Sequence, residues 1–150
     1  MSLFMFALKQ KGVIFKGKPR YIDHDVYIDA EGGLSVGANF VASTRVIILT
    51  HDYSFTTGLE SIGKRPDTDI EVRLPVTIGN NVFIGAGAII LPGTHIGNHV
   101  IIGAGSVVKG IVEDNSVFAG NPAKRLFDIR EWIERKRSRT DPANLLKDRK

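Results

Sequence analysis

The sequence predicts an all-β fold, a parallel β-helix of about four to five coils with one excluded loop and a short C-terminal α-helix. Three observations predict it. From Ile78 onward the chain divides into consecutive hexads, IGNNVF, IGAGAI, ILPGTH, IGNHVI, IGAGSV and VKGIVE, headed by Ile78, Ile84, Ile90, Ile96, Ile102 and Val108. The same phase recurs upstream in VGANFV, ASTRVI and ILTHDY, headed by Val36, Ala42 and Ile48. Between Tyr53 and Pro75 the hexads vanish into the charged stretch SFTTGLESIGKRPDTDIEVRL.

A period of six matches neither the two of a strand nor the 3.6 of a helix. It is satisfied by a short strand and a turn, repeated, with the leading aliphatic pointing inward. Three such units close a triangular coil of about eighteen residues, and stacked coils pair in parallel at about 4.8 Å. Ile78 should then lie on Ile96, Ile84 on Ile102 and Ile90 on Val108. Glycines follow the aliphatic at Gly79, Gly85, Gly97 and Gly103, where a tight corner favours a residue without a side chain. In the first coil Ile22 and Ile28 stand two residues out of phase, and Gly32-Gly33 is the natural place for that adjustment. Long loops in compact domains are commonly functional, which draws attention to the interruption after THDY.

A single domain over residues 1–150 is expected, with coils over about 13–119, the excluded loop over about 54–74 and the helix over about 126–138. Leu126, Ile129, Trp132 and Ile133 recur at helical spacing, and this helix is expected to cap the open end of the stack. The N-terminal run of Lys9, Lys11, Lys16, Lys18 and Arg20 beside Phe4, Phe6, Leu8, Ile14 and Phe15 should close the other end. A membrane-surface contact is a second use of such a run.

Composition narrows the chemistry. The chain has 150 residues, 43% of them hydrophobic and 24% charged, and carries a formal charge of +4. No apolar run approaches the roughly 20 residues of a membrane span, no signal peptide is recognisable, and the expected address is the cytoplasm. Without cysteine there is no disulfide, thiolate nucleophile or cysteine metal site. The basic runs lack the interleaved aromatics of a nucleic-acid platform, so no nucleic-acid partner is expected.

The hexads, the interruption after THDY and the closing AGNPAK resemble the hexapeptide-repeat acyltransferases, which include maltose, galactoside and serine acetyltransferases and polysaccharide O-acetyltransferases. The resemblance covers about residues 20–126. It implies a left-handed coil, a homotrimer, and acetyl-CoA as co-substrate in a groove between subunits, with no metal. It further implies a histidine general base, which falls on His51, with Asp52 or a backbone carbonyl holding its tautomer. Gly85, Ala86, Gly103 and Ala104 match the backbone that meets the pantetheine arm, and Lys109 and Lys124 match the basic residues at the coenzyme. Asp29 falls at the family's acidic acceptor contact, with Glu31 beside it. Tyr53, Phe55 and Arg65 are the loop residues expected to line a site for a saccharide or similar small acceptor.

Acyl transfer from a thioester to a hydroxyl needs a base, a donor for the oxyanion and alignment. Neutral imidazole suits the first task. With no serine in a nucleophile-elbow setting, direct attack is expected in place of a covalent acyl-enzyme. Two other readings remain open. His95 and His99 raise the zinc chemistry of the gamma-class carbonic anhydrases, which share this coil. The other is an inactive trimeric scaffold, which would need only the inward aliphatics.

Overall fold

The structure is a computed structural model that describes residues 3–141 and residue 144. The chain opens with α1 (Leu3–Gln10) and then runs β1 (Val13–Phe15), β2 (Tyr21–Ile22), β3 (Tyr27–Ile28), β4 (Leu34–Val36), β5 (Val41–Ala42) and β6 (Ile47–Ile48). The excursion holds β7 (His51–Asp52), α2 (Ser54–Ser61) and β8 (Val72–Arg73). The coil resumes with β9 (Val76–Ile78), β10 (Val82–Ile84), β11 (Ile89–Ile90), β12 (His95–Ile96), β13 (Val100–Ile102), β14 (Val107–Val108) and β15 (Ile111–Val112). It ends in β16 (Ser116–Gly120), β17 (Ala123–Asp128) and α3 (Ile129–Arg139).

Successive strands visit three faces in turn. Face A stacks β1-β4-β9-β12-β15, face B stacks β2-β5-β10-β13-β16-β17, and face C stacks β3-β6-β11-β14. The result is a parallel β-solenoid of about five turns. All three predicted rungs form, with Ile78 opposite Ile96, Ile84 opposite Ile102 and Ile90 opposite Val108. Ile48, Ile84, Ile90, Ile96 and Ile102 are completely buried. Each is worth about 1.5–3 kcal/mol relative to exposure.

The corner between faces A and B carries its own polar ladder. Asn80 Oδ1 accepts the Ala38 amide at 2.8 Å, Asn98 Oδ1 accepts the Asn80 amide at 2.9 Å, and Asp114 Oδ1 accepts the Asn98 amide at 2.7 Å. Asn39, Asn81, His99 and Asn115 turn that corner at φ between 55° and 58°, a left-handed conformation that asparagine tolerates best among residues with side chains.

Ile22 pairs with Ala42 and Ile28 with Ile48, so the first coil is two residues longer than the eighteen separating Ile84 from Ile102. Eight positions separate Ile28 from Val36, where six separate Ile90 from Ile96, so the surplus lies in the corner from Asp29 to Gly33. On the same corner one coil later, thirty positions separate Ile48 from Ile78. The two largest insertions into the period therefore sit on the corner between faces C and A.

The two ends close differently. At the N-terminus α1 buries Leu8 and half-buries Phe4 and Met5 against the first coil, as expected. At the other end the expected helix begins three residues later, and its cap role falls to a strand. Residues 123–128 fold back antiparallel on β16, Ala123 opposite Gly120 and Asp128 opposite Ser116, which covers the last edge of face B. The Asp128 carboxylate then accepts the Arg130 amide at 2.8 Å and starts α3. No residue of α3 is buried. This helix leans along the outside of face B and leaves a groove of about 570 Å³ lined by Phe83, Ile101, Trp132, Ile133, Arg20 and Lys136.

Candidate functional site

The site grows from the enlarged corner. Asp29 follows the buried Ile28 and is itself 7% exposed. Its Oδ1 accepts the Glu31 amide at 3.0 Å, and its Oδ2 accepts the Thr50 amide at 2.9 Å and the Thr50 hydroxyl at 3.1 Å. Thr50, fully buried, accepts the Gly32 amide on Oγ1 at 2.8 Å. A Cβ on Gly32 would come within 2.1 Å of the Thr50 carbonyl oxygen, so the two coils can meet this closely only at a glycine. Burial pushes the Asp29 carboxyl up, but the amides of Glu31 and Thr50, the Thr50 hydroxyl and His51 together hold it below the usual value.

His51 leaves the coil directly above. Its Nδ1 lies 2.6 Å from Asp29 Oδ2 and 3.9 Å from Glu71 Oε1. Nδ1 and Glu71 Oε1 are both buried, and the 2.6 Å approach is off the line of an aligned hydrogen bond, so it is a contact of charge and proximity. The ring is 23% exposed, and its edge meets Tyr53 at 5.7 Å between centroids. Beside it a cleft of about 280 Å³ is lined by Lys11, Tyr27, Asp29, Glu31 and His51.

Asp52 is not the partner of His51. Consecutive residues of a strand point to opposite faces, and the Asp52 carboxylate accepts the Ser54 amide at 2.9 Å and the Ser54 hydroxyl at 2.6 Å, where the chain turns into α2. The Ser54 hydroxyl and amide hold Asp52 below its ordinary value. Asp29, expected as an acceptor contact, stands instead beneath the imidazole.

The remaining loop residues divide. Tyr53 touches His51 and is half exposed, and Phe55 is half exposed on α2. Arg65 pairs with Glu60 at 3.0 Å inside the loop, and no contact brings it to His51. The loop is held shut by Thr56, whose hydroxyl accepts the Ile70 amide at 2.7 Å, and by β8, which pairs Arg73 with His51 and Val72 with Asp52. Glu71 and Arg73 were not anticipated. Their i, i+2 spacing in EVR puts both on one side of a strand, a signal visible only once that stretch is known to be extended. Arg73 binds Glu71 at 2.8 Å and Glu31 at 3.3 Å, and the Arg73 hydrogen bond holds Glu71 below the ordinary glutamate value.

Glu31, His51 and Glu71 offer ligand atoms within 4.8 Å of one another. Arg73 already pairs with both carboxylates and its charge offsets one of the two, which weakens the site for a cation. His95 and His99 belong to no such group among the described residues. His95 Nδ1 meets the Thr77 hydroxyl, and His99 Nδ1 lies 3.4 Å from the Asn81 amide nitrogen.

The residues matched to the coenzyme gather on the other side of face C. Gly105 donates to the Ala86 carbonyl at 2.9 Å, and Gly87 donates to that of Thr44 at 3.0 Å, so Thr44, Ala86 and Ala104 form one column on the corner between faces B and C. Cβ atoms on Gly85 and Gly103 would meet Ala104 N at 2.5 Å and Ala119 Cβ at 2.7 Å. Lys124 pairs opposite Ala119 and stands at the end of that column, exposed. Lys109 does not join it. It follows β14 on the corner between faces C and A, where its charge helps lower Asp52. Between the two corners, face C presents Tyr27, Ile47, Ile89 and Val107 outward, in register and none of them buried.

The chain is similar to known proteins in sequence and in fold. Residues 75–110 match the family model described as bacterial transferase hexapeptide (six repeats). WbbJ of Escherichia coli strain K12, provisionally named a lipopolysaccharide biosynthesis O-acetyl transferase, is 33% identical over 117 residues, which are 76% of this chain and 60% of WbbJ. The chain spans about 60% of the length of the curated relatives it matches. Among solved structures, a maltose O-acetyltransferase from Clostridium difficile 630 is 30% identical with a TM-score of 0.63, covering 83% of this chain and 73% of that one. A galactoside acetyltransferase in complex with coenzyme A shares the fold at 22% identity, with a TM-score of 0.62 and coverage of 92% and 72%. The repeated rungs, the corner that carries the inserted loop and these likenesses together place the chain among the hexapeptide-repeat acetyltransferases.

Proposed function

We propose that the protein transfers an acetyl group from acetyl-CoA to a hydroxyl, or an amino group, of a saccharide or similar small acceptor, with His51 as general base. The observation that carries the reading is the short contact of His51 Nδ1 with buried Asp29 at the edge of an open cleft. The Asp29 charge beside Nδ1 favours the tautomer that carries the proton there, which leaves Nε2 unprotonated to face the acceptor.

The acceptor O–H attacks the thioester carbonyl carbon while Nε2 takes its proton. The tetrahedral intermediate collapses by breaking the C–S bond, and the imidazolium returns its proton to the departing CoA thiolate. The products are the acetyl ester and CoA, with no covalent enzyme intermediate. Asp29 stabilises the transient imidazolium, and general base catalysis of this kind contributes about 10²–10⁴-fold.

The column of Gly85, Ala86, Gly103 and Ala104 is read as the bed of the pantetheine arm, with Lys124 at the phosphates and Lys109 nearer the reacting end. The coenzyme A bound in the galactoside acetyltransferase supports this use of the fold. His51 and the column lie on different corners, so a complete site calls for a second copy of the chain. The outward stripe of Tyr27, Ile47, Ile89 and Val107 suits that contact, in keeping with a homotrimer. Tyr53 and Phe55 are assigned to the acceptor side, together with Glu31. The acceptor class is that of cell-surface saccharides, which the name of WbbJ supports.

The test is acetyl-CoA consumption against a panel of sugars, with CoA binding followed by calorimetry. His51→Ala should abolish turnover while CoA still binds. A His51→Ala protein that keeps full turnover with its acceptor removes the assignment.

A further inference from the structure

Face A ends at β1, face B at β2 and face C at β3, so the first coil and α1 together form one end of the solenoid. That end is cationic. Lys9, Lys11, Lys16, Lys18 and Arg20 are all exposed, and among the described residues none makes an ion pair. The exposed acids of the same coil are few. Half-buried Asp23 already accepts the Tyr21 hydroxyl and the Asp25 amide, and Glu31 is held by Arg73 at 3.3 Å, which leaves Asp25.

The backbone holds these cations outward. Gly17 packs so closely under Ala38 that a Cβ there would meet the Ala38 Cβ at 2.5 Å, and Lys16 and Lys18 project on either side of it. Lys16 N, Arg20 N and Lys18 O are each bonded to the coil above, through Val36, Phe40 and Asn39. The segment is therefore a rigid rim. On α1, Phe4, Met5 and Leu8 turn inward, and Phe6 is left 47% exposed one helical turn from Lys9; Ile14 of the edge strand is 61% exposed.

We propose that this end docks on an anionic lipid surface, with Phe6 entering the interface and the lysine rim facing the headgroups. Juxtaposed cations and one apolar anchor are the two signals that reversible membrane binding requires. The end face lies across the solenoid axis, so contacts through the outward face of C leave it free. In the ring of copies proposed above, every first coil would lie on the same side, which multiplies the attraction. Lysine and proline in the rim also blunt an open sheet edge. That function needs only charge, whereas docking needs positive charge, and the two are separable.

Co-sedimentation is measured with vesicles of phosphatidylcholine alone and with about one third phosphatidylglycerol. The protein should pellet with the second and not with the first. Lys16→Glu/Lys18→Glu keeps a charged edge and should weaken that binding by at least about 25-fold, at about fivefold per cation, with thermal stability and CoA binding retained. Phe6→Ser should weaken it further. Three results overturn the proposal: equal binding to both vesicles or to neither; undiminished binding of the double variant; or displacement from the vesicles by heparin or RNA at lower concentration than any lipid effect. Should the double variant fail to fold, the wild-type protein decides, because docking that survives unchanged from about 0.05 to 0.5 M salt excludes the lysine rim.

Discussion

His51 Nδ1 stands 2.6 Å from the carboxylate of Asp29, a residue on the coil below whose oxygens are already fixed by Thr50 and Glu31. The imidazole therefore rests on a platform the solenoid builds for structural reasons. Asp29→Asn should lower kcat/KM by about 10–100-fold with CoA affinity unchanged, because an amide cannot stabilise the imidazolium. It should also cost about 1–3 kcal/mol, since either the Glu31 amide or both Thr50 donors lose their acceptor. Steady-state kinetics alongside thermal melts separate the two effects.

Gly32→Ala tests the platform from the backbone side. The new methyl would enter the 2.1 Å gap to the Thr50 carbonyl, which is main chain and cannot swing aside. A loss of about 1–3 kcal/mol is expected, with a drop in turnover as Thr50 and its neighbour His51 shift. Gly58→Ala, within α2 and with nothing within 4 Å, should leave the rate unchanged and stabilise by up to about 1 kcal/mol.

Acid should destabilise the fold. Asp23, Asp29, Asp52, Glu71 and Asp114 are all held below their ordinary values of 3.8 for aspartate and 4.5 for glutamate. A depressed carboxyl contributes stability that is complete above its unfolded value and is lost as pH falls through its folded one. Urea midpoints should therefore be level above about pH 5 and decline below about pH 4. Asp114→Asn, which weakens acceptance of the Asn98 amide, should shrink the decline.

The rungs should behave as an ordinary close-packed core. Ile84→Ala, removing a fully buried side chain between Ala42 and Ile102, should cost about 2–5 kcal/mol by denaturant titration. Ile89→Lys, on the outward stripe of face C, should leave monomer stability within about 0.5 kcal/mol and reduce the assembled species in sedimentation velocity.

How much of this could be read from residues alone depended on periodicity. Ile78, Ile84 and Ile90 announce their partners because every coil between them is eighteen residues long, and the two-residue slip at Gly32-Gly33 was visible as a break in phase. His51 was legible because it stands where the pattern stops. Its partner was not, since nothing in the chain says that a carboxylate one coil below will outcompete the adjacent Asp52. Glu71 and Arg73 were hidden for a related reason: the loop has no period, so its return strand has no sequence signature. The C-terminal helix misled by three residues because Leu126 fits a helical stripe as well as it fits the antiparallel strand that covers face B.

The excursion leaves the coil at Thr50 and returns at Leu74, and the Leu74 amide donates to the Thr50 carbonyl at 2.8 Å. The whole detour is thus pinched at its neck by this main-chain bond and the β7–β8 pairing just beyond it, as a handle is joined to a cup. The proposed acceptor contacts of Tyr53 and Phe55 can be exchanged beyond that neck, in length as well as sequence, without moving a rung. Under the proposed function, the loop beyond His51 is exchangeable as a cassette, with His51 just inside its neck, while Asp29 and the proposed coenzyme bed stay with the vessel.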